Sequence, residues 1–162
     1  MKQITSFDLI QNVAISSLAL HSFTLGYYSV ANKRNDKRGN YPSVKYFFYI
    51  LPLIYHEDSL DNFYQNNNLH RVFAHYPEIS AQLQHRANKM SIQTFDALNL
   101  AFSTKLLKFN EDHQIIQQLR LTDIAELWPQ DIKKIVVGSR KLGFFFAKTS
   151  EQTLRLRFNI LI

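Results

Sequence analysis

The stretch KKIVVGSRKLGFFFAKTSEQTLRLRF, residues 133–158, sets three phenylalanines among lysines and arginines and then alternates Leu with Arg. A buried helix would not carry so many charges. A solvated helix would not carry Phe144, Phe145 and Phe146 together. Projected at about 100° per residue, Ile132, Ile135, Val136, Leu142 and Phe146 gather on one side. Ser139 and Gly143 fall within that side, where small residues let a neighbouring helix come close. Phe146 is therefore a core residue. Lys133, Lys134, Arg140, Lys141 and Lys148 lie opposite, with Phe144 and Val137 among them and Phe145 at the border. Pro129 opens this helix and Thr149-Ser150 ends it. Leu154, Leu156 and Phe158 then alternate with Arg155, Arg157 and Asn159, which predicts a half-buried strand with both arginines on one face.

Working outward, residues 105–120 hold two short β-type runs, KLLKF and QIIQQLR, around a polar Asn110-Glu111-Asp112-His113 turn. They predict a hairpin that pairs with the C-terminal strand. Upstream the pattern is helical. A first helix starts near Ser6, with Ser6 or Asp8 as cap, and ends in the basic loop KRNDKRGN, residues 33–40. Pro42 suits the first turn of a second helix, which Pro52 should kink. A short acidic helix, EDSLDNFYQ, and an NNN turn follow. Pro77 opens a helix with Ile79, Leu83, Ala87 and Met90 in one stripe. Ser91 caps the next, with Phe95, Leu98, Phe102 and Leu106 at helical spacing, and residues 123–128 form a helical turn. The fold class is mainly α with a small β-sheet. It is one domain over 1–162: a helical part (about 6–104), a winged-helix-like hairpin (about 105–120), and a C-terminal helix and strand (about 129–160).

Composition agrees. With 162 residues, 46% of them hydrophobic, the chain can bury about 70% of its unfolded surface without staples. Gly and Pro number only 4 each, which favours long helices over many turns. There is no cysteine, so a disulfide framework and a thiolate zinc site are excluded and the cytoplasm is the expected compartment. The start, MKQITSFDLIQN, does not read as a signal peptide, and the most apolar window, residues 44–55, is too short to span a bilayer. A net charge of +6 points to an acidic partner or nucleic acid.

No phosphate loop, HExxH or nucleophile elbow is present. His70 and His75 fall on different helical faces. His56-Glu57-Asp58 reads as an acidic helix terminus before a metal site, and a hydrolase built on Glu57, Asp58 and Asp61 has the least support. The expectation is a protein that is not an enzyme, with no catalytic, cofactor or metal residues. Aromatics interleaved with cations mark an interface. Phe144, Phe145, Lys141, Arg155 and Arg157 are the partner-interface candidates. Lys33, Arg34, Lys37 and Arg38 in the loop, with Lys105 and Lys108 beside the hairpin, are the nucleic-acid candidates.

Three motifs stand in a telling order: Asn12-Val13-Ala14 leading to Gly26-Tyr27, then FFYILPLIYH, then SRKLGFFFAKT followed by Thr-Leu. In this order the chain resembles the middle component of three-component ABC-ATPase systems, the small subunit of Lamassu-type antiphage defence, from about residue 10 to 160. It departs from that pattern after Arg157, where NILI stands in place of a Gly-containing end. The resemblance implies a non-enzymatic subunit. Its partners would be an ABC ATPase of the structural-maintenance-of-chromosomes (SMC) type and an effector, often a nuclease; the middle component would sit near the ATPase heads and help hold the effector until foreign DNA is sensed.

Overall fold

The computed structural model describes residues 12–33, 39–119 and 128–161. Its centre is α1 (Val13–Ala31) packed on α8 (Gln130–Lys148). Asn12 caps α1, its side chain accepting from the backbone N–H groups of Ala14 and Ile15 at 3.0 and 3.2 Å. The expected caps Ser6 and Asp8 lie outside the described residues. Helix α1 is buried from Ala19 through Tyr27. Two of its buried hydroxyls are satisfied by backbone. The Thr24 hydroxyl donates to the Leu20 carbonyl at 3.0 Å, and the Ser22 hydroxyl donates across to the Val136 carbonyl at 2.8 Å.

The two helices touch backbone to backbone. A Cβ on Gly26 would lie 2.0 Å from the Arg140 carbonyl oxygen, and one on Gly143 would lie 2.1 Å from the Phe23 carbonyl oxygen. Ser22 meets Val136 and, one turn on, Gly26 meets Arg140, so the helices run in the same sense at the crossing. Each supplies a Ser-x-x-x-Gly pair, Ser22 with Gly26 and Ser139 with Gly143, which flattens both surfaces at the contact. The expected close approach at Ser139 and Gly143 is present, and Phe146 is buried in the core.

Around this seam the chain runs through α2 (Phe47–Ile54), α3 (Ser59–Gln65), α4 (Leu69–His75), α5 (Pro77–Ser80), α6 (Leu83–Lys89) and α7 (Ser91–Ser103). Strands β1 (Leu107–Asn110) and β2 (Ile115–Gln118) follow, and α9 (Glu151–Phe158) comes after α8. The core is rich in rings. Phe23 meets Phe47 and Phe146 edge to face, each at 5.4 Å between centroids, and Phe158 bridges Phe146 to Phe73. The stripe of Ile79, Leu83 and Ala87 is buried as expected, but across two helices, because Gln82 takes a left-handed φ of 52° between them. Arg86 ties this region together. Its guanidinium donates to the carbonyls of Pro52 (2.6 Å), Ile79 and Ala81 (3.1 Å), at the ends of α2 and α5.

The hairpin forms as expected, antiparallel, with Leu107 opposite Gln118 and Phe109 opposite Ile116. Its further neighbour is not the C-terminal segment. The Pro42 carbonyl accepts from Ile116 at 3.0 Å, and Ser43 bridges Ile115. Pro42 thus sits in an extended edge segment instead of the first turn of a helix. That position suits a residue with no N–H to donate. The 3₁₀ turn Val44–Tyr46 then leads into α2, which carries Pro52.

Residues 151–158 correct the expected strand: they form α9. Ser150 caps it by accepting from the Thr153 N–H at 3.2 Å, and Arg155 pairs with Glu151 one turn earlier at 3.3 Å. Leu154 and Phe158 are buried, while Leu156 is 79% exposed. Residues four apart share a face in either a strand or a helix, so the burial of Leu154 and Phe158 fits both readings and the exposed Leu156 fits the helix alone. Without that strand the winged-helix arrangement is not completed. Ser91 does not cap α7; it is its first residue, and its hydroxyl donates back to the Asn88 carbonyl at 2.9 Å. Phe95, at helical spacing with Leu98 and Phe102, is 55% exposed and meets the ring of Phe48. The predicted turn at 123–128 lies outside the described residues except for Trp128.

Candidate functional site

Helix α8 buries one side against α1, and its other side packs on α3 and α4. On that side Lys134, Lys141 and Lys148 recur every seven residues, which keeps them within about 20° per step on one stripe. The chain answers each lysine differently. Lys134 forms an ion pair with Asp61 of α3, and that carboxylate raises its proton affinity. Lys141 meets no acid among the described residues. Its ammonium donates to the carbonyls of Tyr64 (2.6 Å) and Asn66 (3.0 Å) where α3 ends. A cation there suits the unpaired carbonyls at a helix C-terminus. Burial pushes its pKa down. Lys148 is exposed and makes no ion pair among the described residues.

Phe144 lies between Lys141 and Lys148 and is half-buried. The facing wall is the turn into α4, with Asn67, Asn68 and His70. Together they form a groove of about 550 Å³, and none of its described lining residues is acidic. Phe145 forms part of its base. It is only 5% exposed, covered by Phe73 at 5.2 Å and by the His70 ring at 4.8 Å. Burial lowers the His70 pKa, and the nearby charge of Arg157 lowers it further.

Of the interface candidates, the structure brings Phe144, Phe145 and Lys141 to this groove. Phe145 is not an accessible surface residue, because α4 and α9 close over its border position. Arg155 and Arg157 do not share a face. Two residues apart on a helix they point about 200° apart, and Arg157 borders a separate hollow with Phe158 and Asn159. Arg155 joins Glu151, which also holds Lys45 at 3.2 Å. Among the nucleic-acid candidates, Lys33, Lys105 and Lys108 are exposed, while Arg34, Lys37 and Arg38 lie outside the described residues. Asp61 is engaged by Lys134, and burial lowers the His56 pKa. Among the described residues no group of three or more His, Asp or Glu is placed to hold a metal ion. No helix among them is long and apolar enough to cross a membrane. Sequence reasoning missed Asn67, Asn68 and His70 as a wall. The seven-residue lysine period was the signal that could have located the stripe.

Comparison with known proteins bears out the middle-component family of the resemblance above. No curated protein and no solved structure matches the chain. The family model described as ABC-three component (ABC-3C) system Middle Component 3 matches residues 2–158, nearly the whole length. The chain therefore belongs to the Middle Component 3 family of ABC-three component systems.

Proposed function

We propose that this chain is a non-enzymatic accessory subunit of a Lamassu-type antiphage defence complex, bridging an SMC-like ABC ATPase and an effector, often a nuclease, in the cytoplasm. Family membership over residues 2–158 carries the reading, since a middle component works among other subunits. The groove beside Phe144 and Lys141 supports it as a docking feature. Tagged protein purified together with the products of its neighbouring genes tests the proposal. Recovery of a large coiled-coil ATPase is the expected result. A lone monomer would overturn it.

A second reading, a DNA-binding module, is favoured by the exposure of Lys33, Lys105 and Lys108. Phosphate contacts would make duplex binding fall steeply as salt rises. Binding that is absent at low ionic strength would remove this reading and leave the first intact.

A further inference from the structure

We propose that the groove between α8 and residues 66–70 takes an acidic segment of a partner protein, its carboxylates on Lys141 and Lys148 and an apolar side chain on Phe144. The inference rests on the accessory-subunit reading and adds the chemistry of what docks.

The chain itself supplies the template. At the first position of the lysine stripe an acid from a neighbouring element, Asp61, reaches Lys134. At the second, α3 has ended and offers Lys141 only two neutral carbonyls. They hold the ammonium in place without cancelling its charge, and they use two of its three donors. At the third, Lys148 stands exposed with no ion pair among the described residues. Two positive charges, the first held in place and the second exposed, thus face a groove with no acid among its described lining residues. Seven helical residues separate them by about 10 Å along α8. Carboxylates three residues apart on a segment in the polyproline II conformation share one face and span about 9 Å, close to that distance. Phe144 falls between them, where an apolar side chain of such a segment would rest, and the Asn67 and Asn68 amides can bond its backbone. A nucleic-acid strand fits less well, because base stacking needs open ring faces and Phe145 is closed over.

Fluorescence anisotropy on the full-length chain tests this with two labelled probes: a glycine-spaced peptide carrying Glu three residues apart around a Phe, and a twelve-nucleotide oligothymidylate. The peptide should bind more tightly than the oligothymidylate. Lys148→Glu should weaken it about tenfold or more. Lys133→Glu, which changes net charge equally away from the stripe, should leave it within about twofold. Backbone amide shifts in a ¹⁵N spectrum should move at residues 67–70 and 144–148. Equal loss in the two variants, shifts elsewhere, no peptide binding, or tighter oligothymidylate binding would each overturn the proposal. The titration uses the chain alone, so its outcome is separate from that of the co-purification.

Discussion

Where α8 meets α1 the contact is backbone on backbone, and where it meets α3 and α4 it is made by lysine and aromatic side chains around a groove. The first contact has no room for change: one added methyl on Gly143 or Gly26 runs into a carbonyl oxygen. The second is loose at its far end, where Phe144 is half-buried and Lys148 is exposed. One helix thus serves folding on one side and leaves charge and apolar surface uncommitted on the other. Close packing tolerates almost no substitution, whereas an exposed lysine contributes little to stability.

The contrast predicts a ranking. Phe146→Ala, at the centre of the ring cluster, should lower unfolding free energy by about 4 kcal/mol in urea titration. A loss under about 1 kcal/mol would mean the ring cluster is not the core. Gly143→Ala should cost about 3 kcal/mol, the upper part of the range for overpacking. Adding Gly26→Ala should cost much less than a second such loss, because helices already parted by one methyl have room for another. Full additivity would mean the two glycines act at independent contacts. Ser150→Ala should cost about 1 kcal/mol by removing the cap of α9. If 151–158 were a strand, the same change would cost nearly nothing. At the bottom, Lys148→Glu should shift stability by less than about 0.5 kcal/mol yet weaken assembly with partners. A large loss of stability there would place Lys148 in the fold and abolish the contrast.

Much of the seam was legible in the sequence, because its physics is local and periodic. Ser139, Gly143 and Phe146 share a helical face whatever packs on it, and Pro129 and Thr149-Ser150 mark the ends of α8. The motif residues that carried the family resemblance have structural roles: Asn12 caps α1, and Gly26 meets α8. What was not legible depended on a second element. Leu154 and Phe158 satisfy two periods at once, and the choice of helix came from Ser150 and the Glu151–Arg155 pair. Phe145 reads as a border residue until α4 and α9 cover it. Residues 69–75 follow three asparagines and carry few long-range cues, yet they form α4 and build the groove wall. Lys141 looks free on a helical wheel because its partners are backbone carbonyls, which no side-chain pattern reveals.

The most direct test of the two-sided account is amide hydrogen exchange on the chain alone and in the assembly it co-purifies with. Residues 66–70 should gain protection on assembly, while amides along the α1–α8 seam, already protected in the free chain, should be unchanged. Unaltered exchange at 66–70, with protection appearing instead along α1, would contradict it.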